Sequence, residues 1–179
     1  MRLYITGGPG SGKTRAAQAV SSKLSVVAHC LDDVVWDNGD GMKNQRRPEA
    51  ARDEAVRRIA AEPAWVVEGT YFQSWLRPIL ERVDCVVILA TPRWRRLLRL
   101  SRRHFVERSP FRAPSDNLRL FVANARWGLS YEQHALPELI GSLEAESTPF
   151  VVHRSGDLLA LVAELDRGRA PRSRNVVEG

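Results

Sequence analysis

Lysine is scarce. The 179 residues hold three, Lys13, Lys23 and Lys43, in a chain with 27 Lys and Arg, a net charge of +6 and a pI near 10.0. The positive charge is therefore almost all arginine. Arginine suits bidentate phosphate contacts; coding bias also enriches it, so position along the chain is the better guide. Cysteine is scarcer still. Cys30 and Cys85 lie in apolar runs, which excludes a disulfide framework and predicts buried thiols; no Cys or His pair has zinc-ligand spacing. No apolar run approaches bilayer-spanning length. The first residues enter a strand without a signal-peptide layout, so the expectation is a cytoplasmic protein with no membrane partner. There are no repeats and no second core.

What remains is ordinary in bulk and specific in pattern. A hydrophobic fraction of 44% and a charged fraction of 27% suit a globular domain of this length. Short apolar runs at Leu3–Ile5, Val26–Ala28, Trp65–Val67, Cys85–Leu89 and Phe150–Val152 alternate with helix-period stretches. That pattern predicts a single α/β domain over residues 1–167, a parallel sheet with helices on both faces. Asp116–Ile140 reads as helix broken near Gly128 and Pro137. Ser155 caps a last helix to about Leu165. The basic tail 168–179 shows no periodicity and is expected to be loose.

Residues 7–14 read Gly-Gly-Pro-Gly-Ser-Gly-Lys-Thr, a full match to G-x-x-x-x-G-K-[ST] between a β-rich run and a helical one. In that setting Gly8, Pro9, Gly10, Ser11 and Gly12 form a loop whose backbone N–H groups surround a polyphosphate, and the helix adds its positive dipole end. Lys13 reaches the β- and γ-phosphates, and Thr14 offers its hydroxyl to Mg²⁺. The motif points to a nucleoside triphosphate as ligand. An N-K-x-D guanine-reading segment is missing, which argues against a GTPase switch.

Other positions complete a candidate site. Asp32 and Asp33 follow the second strand, at the edge where α/β sheets bind ligands; either suits an acceptor-side carboxylate, and both also suit a turn or cap. Glu68 follows the third strand as a Mg²⁺-holding carboxylate would, or simply opens a loop. Arg95, Arg99, Arg102 and Arg103 share one helical face, with Trp94, Leu97, Leu98 and Phe105 on another. The apolar face is expected against the core and the basic face toward an anion. With Arg108, Arg112 and the prolines beyond, residues 99–116 read as a mobile arginine-rich lid; a solvated basic face is the plainer alternative. Trp36 and Tyr71 suit stacking or packing. His153-Arg154 follows the last strand, near where a nucleotide base would lie, and equally suits a helix cap.

Taken in this order, these segments resemble the adenylate-kinase-like P-loop kinases, and among them the small DNA topology modulation proteins. The resemblance runs from Arg2 to about Leu165. It rests on Gly7–Thr14, on Leu31-Asp32 with Trp36, on Trp65 with Glu68-Gly69 and Tyr71, and on Pro92-Arg93-Trp94 followed by Arg99 and Arg103. It implies five parallel strands in the order 2-3-1-4-5, ATP and Mg²⁺ as ligands, Asp32 as the acceptor-side carboxylate, and Arg99, Arg103 and Arg108 as lid arginines. The relatives carry Asp-Gly-Asn-Tyr where this chain has Glu68-Gly69-Thr70-Tyr71, a longer acid and a lost amide. The implied activity is phosphoryl transfer to a small acceptor, a nucleoside or nucleotide among the candidates. A nucleotide-dependent DNA- or RNA-binding regulator is the alternative that the charge allows, without a recognised nucleic-acid module.

Overall fold

Apolar runs of β-branched residues, each too short for a helix, form the centre of the molecule. The computed structural model describes residues 1–37, 45–106, 114–154, 158–167 and 176–177. In chain order the elements begin with β1 (Arg2–Thr6), α1 (Lys13–Leu24), β2 (Ala28–Cys30) and α2 (Leu31–Val35). A small antiparallel pair follows, β3 (Trp36–Asp37) and β4 (Gln45–Arg46). Next come α3 (Glu49–Ala61), β5 (Trp65–Gly69), α4 (Arg77–Leu80), β6 (Cys85–Leu89) and α5 (Arg93–Ser101). The chain ends with α6 (Pro114–Ser130), α7 (Leu136–Ala145), β7 (Phe150–His153), α8 (Leu158–Asp166) and β8 (Val176–Val177).

The main sheet runs β2-β5-β1-β6-β7-β8, and its pairings are parallel. Side chains alternate across it. Tyr4, Trp65, Val67, Val86 and Ile88 pack with α3, α4 and α7 on one face. Leu3, Ile5, Val66, Cys85 and Val87 pack with Ala17 and Val20 of α1 and Val162 of α8 on the other. Burial on both faces explains why the strands read as continuous apolar runs. Parallel pairing also brings the strand ends to one edge. Ile5 pairs with Glu68 and Glu68 with Cys30, so these residues lie at one level, just before the loop after β1. Among the described residues no helix is long and apolar enough to cross a membrane.

Several expectations need correction. The second strand lies at Ala28–Cys30 rather than Val26–Ala28. The chain leaves α1 through a left-handed turn at Ser25 and first bonds β5 at the Val27 carbonyl, which moves the paired segment toward the C-terminus. The long helix is not broken at Gly128. It continues to Ser130, and a wide π-type turn, Tyr131–Ala135, joins it to α7. Pro137 sits in the first turn of α7, where its missing N–H costs nothing. Of the tail, only Val176–Val177 is described, and it pairs with β7. Ser155, Arg108 and the segment 107–113 lie outside the described residues.

The largest correction concerns α5. Trp94 and Leu98 are each 62% exposed, and Leu97 and Phe105 are also exposed; the inward face carries Arg96 and Leu100, 5% and 4% exposed, continued by buried His104. The amphipathic pattern is present, but the helix is turned relative to the expectation.

Candidate functional site

The loop between β1 and α1 needs glycine where the backbone turns left-handed, at Gly10 (φ 77°) and Gly12 (φ 94°), conformations costly for residues with a Cβ. Arg99 Nη1 donates to the carbonyls of Gly10 (3.2 Å) and Ser11 (2.8 Å), and Thr91 Oγ1 donates to the Ser11 carbonyl at 3.0 Å. A trans peptide sets its N–H opposite its carbonyl. These bonds therefore turn the Gly12 N–H away from α5, beside the first N–H groups of α1, which have no partners within the helix. Ser11 Oγ is buried and makes no hydrogen bond.

Lys13 and Thr14 open α1. Thr14 Oγ1 donates to Glu68 Oε1 at 2.8 Å, and Glu68 is 3% exposed at the end of β5. Burial holds the Lys13 amine below its ordinary pKa; Glu68, Asp32 and Cys30 pull it back up, and Arg103 pushes it down. Four charged or polar groups from different segments thus act on this one amine. Cys30 is half-buried beside Glu68; burial pushes its thiol up to about 12 and the carboxylate adds to the rise, so it is an un-ionised thiol at neutral pH. Asp32, in the first turn of α2, accepts a hydrogen bond from Tyr71 Oη at 2.9 Å. Burial, then the Asp32 charge, raises the Tyr71 phenol, which keeps it a donor.

Two cavities flank this cluster. One, of about 730 Å³, is bounded by Ser11, Gly12, Arg95, Arg99, Arg102 and Arg154 among others. The other, of about 590 Å³, includes Arg46, Arg52, Asp53, Tyr71 and Trp75 in its lining. Tyr71 links this second cavity to Asp32. The structure thus brings together Lys13, Thr14, Asp32, Glu68 and Arg103, and places Ser11, Gly12, Arg99 and Arg154 around the adjoining cavity, with Gly10 held by Arg99 beside it. Gly8 instead lies against the Arg96 guanidinium and Tyr131, and the Pro9 ring lies 3.9 Å from the position of a Cβ on Gly128. Asp33 is exposed, and its carbonyl accepts from Arg47 at 3.4 Å.

Two buried arginines escaped sequence reading. Arg96 is bonded to Glu132, which also takes Arg93. Arg52 donates to Asp53 through Nε (2.8 Å) and Nη2 (2.7 Å) and lies 4.9 Å over the Trp75 ring. A signal existed for both: each sits four residues before a buried apolar residue, Leu100 and Val56, and so completes an apolar stripe. Among the described residues no group of three or more His, Cys, Asp or Glu side chains could hold a metal by itself.

No protein-family model matches the chain, and no curated protein matches it. Among solved structures it is similar to the crystal structure of an uncharacterized protein from Eubacterium ventriosum ATCC 27560, with a TM-score of 0.51 and 12% identity over 94% of this chain and 97% of that one. At that identity the likeness is one of fold alone.

Proposed function

We propose that the chain is an ATP-dependent phosphotransferase acting on a small hydroxyl-bearing acceptor. One observation carries the reading: a glycine loop leads straight into Lys13 and Thr14, and the Thr14 hydroxyl meets buried Glu68 at 2.8 Å, with Asp32 acting on the same lysine. The loop N–H groups and the start of α1 hold the phosphates, and Lys13 bridges the terminal ones. Arg103, with Arg154 on the cavity wall and Arg108 by sequence, stabilises charge on the transferring group, while Arg99 holds the loop through the Gly10 and Ser11 carbonyls. Asp32 orients the acceptor hydroxyl and takes its proton, while Tyr71 fixes the carboxylate. Catalysis is positioning and charge stabilisation.

Thr14 and Glu68 fit Mg²⁺. They are two adjacent oxygen donors, and among the described residues no group of three His, Cys, Asp or Glu side chains joins them, as expected of a cation held largely by phosphate and water. Bound there, it neutralises phosphate charge. The alternative, a nucleic-acid-binding regulator, would use an outward basic face; Arg99 is committed to loop carbonyls and Arg96 to Glu132, which favours the enzyme.

The test is ATP consumption with Mg²⁺ against a panel of nucleosides, nucleotides and small hydroxyl metabolites. Lys13→Ala is expected to abolish transfer, and Asp32→Asn to lower kcat by about 10²-fold or more with ATP affinity within about threefold. Full activity in Lys13→Ala would remove the reading, and equal losses of kcat and ATP affinity in Asp32→Asn would remove its acceptor role.

A further inference from the structure

The cavity beside Tyr71 has a charge balance that bears on which acceptor it takes; the inference rests on the phosphotransferase reading above. Its described cations are Arg46 and Arg52, and its described anions Glu49 and Asp53. They cancel.

The two arginines are not equivalent. Arg46 is exposed. Arg52 is buried, and one edge of its guanidinium is taken. Nε and Nη2 bond Asp53, Nη1 lies 4.0 Å from Glu49, and the plane sits over Trp75. Held this way, its Nε–Nη2 edge is not available as a fork for a phosphate. A phosphorylated acceptor would also approach the carboxylates of Asp53 and of exposed Glu49, whose like charge opposes it. The rest of the wall suits a neutral ring compound. Tyr71 and Trp75 stand 5.3 Å apart with their rings tilted, Trp36 lies beside Tyr71, and Gln73 and Ser74 add neutral polar groups. Asp32, bonded to Tyr71, lies where this cavity approaches Lys13.

We propose that the acceptor is an uncharged, ring-bearing hydroxyl compound of the nucleoside class, and that the Arg52–Asp53–Glu49 group excludes its phosphorylated counterpart. Asp53 sets this specificity by occupying Arg52. An enzyme built for monophosphates would present that guanidinium free.

The experiment is titration calorimetry on the full chain, with the donor cavity saturated by a non-hydrolysable ATP analogue and Mg²⁺. The probes are the common ribonucleosides and deoxyribonucleosides and their 5′-monophosphates. At least one nucleoside should bind tenfold or more tightly than its monophosphate. Asp53→Asn should close or reverse that gap, since it frees Arg52. Glu49→Gln, at an exposed position that folding tolerates, should narrow it about threefold and serves if Asp53→Asn does not fold. Tighter binding of monophosphates by the wild type, binding of no nucleoside, or an unchanged ratio in the folded variants would each overturn the proposal. Failure of the ATP analogue to bind would instead count against the phosphotransferase reading; the acceptor ratio is then read on the unliganded chain.

Discussion

At the residue scale, Lys13 shows how a binding site departs from a stable core. Its charged form is disfavoured chiefly by burial, and Glu68, Asp32 and Cys30 only partly restore it. A lysine whose folded pKa lies below its unfolded value costs stability wherever both states are protonated. The cost is full below the folded pKa and falls as pH rises from there toward 10.5, because over that window the unfolded chain binds more protons. Lys13→Met keeps the stem and removes the charge. It should abolish ATP binding yet raise Tm at pH 7, by about 2–4 °C for each kcal/mol of strain relieved in a chain of this size. Paired thermal melts and ATP titrations check this; a clear fall in Tm would show that the Lys13 charge stabilises the ligand-free fold. ATP affinity should also weaken as pH rises through the folded Lys13 pKa, where the ammonium is lost.

At the element scale, the orientation of α5 decides which side chains matter. Leu100 is buried and Leu98 is 62% exposed, although the apolar pattern places Leu98 on the core face. Leu100→Ala should destabilise by about 2–4 kcal/mol, and Leu98→Gln should stay within about 0.5 kcal/mol, as read by urea unfolding. Equal losses would mean that the helix sits the other way round. This contrast also marks the limit of sequence reading. The glycine loop, Lys13, Thr14 and Glu68 were legible because their spacing and the apolar runs around them are local. The face of α5 was not, because periodicity says that two faces differ and not which points inward. What turns the helix is a pairing across 36 residues, Arg96 with Glu132, together with the close approach of Arg96 to Gly8 and Gly128. The small strands at Trp36–Asp37 and Gln45–Arg46 are too short to leave a pattern, and the charge cancellation around Arg52 depends on which helix neighbours face the cavity.

At the scale of the whole molecule, the glycine loop joins two halves of the sheet. On one side Thr14 reaches Glu68 of β5; on the other, Arg99 and Thr91, on α5 and the loop before it, bond the Gly10 and Ser11 carbonyls. A ligand on the loop should therefore stiffen both sides at once. At 100 times its Kd, ATP with Mg²⁺ should add about 2.7 kcal/mol of stability, a Tm rise of roughly 5–11 °C for a chain of this length. Hydrogen exchange should locate the gain. Amides at the start of α1 and along α5 are expected to slow with ATP, while α3, on the opposite face of the sheet and away from the loop, should change little. Arg99→Ala separates the two sides. In that variant protection at α1 should persist, because Lys13, Thr14 and Glu68 are intact, and protection along α5 should be lost. If α5 remains protected, the coupling runs through Arg96 and Gly8 instead, and Arg96→Met should then remove it. If neither variant uncouples α5 from ATP, the coupling runs through neither Arg99 nor Arg96, and the loop contacts of these two arginines have no part in it.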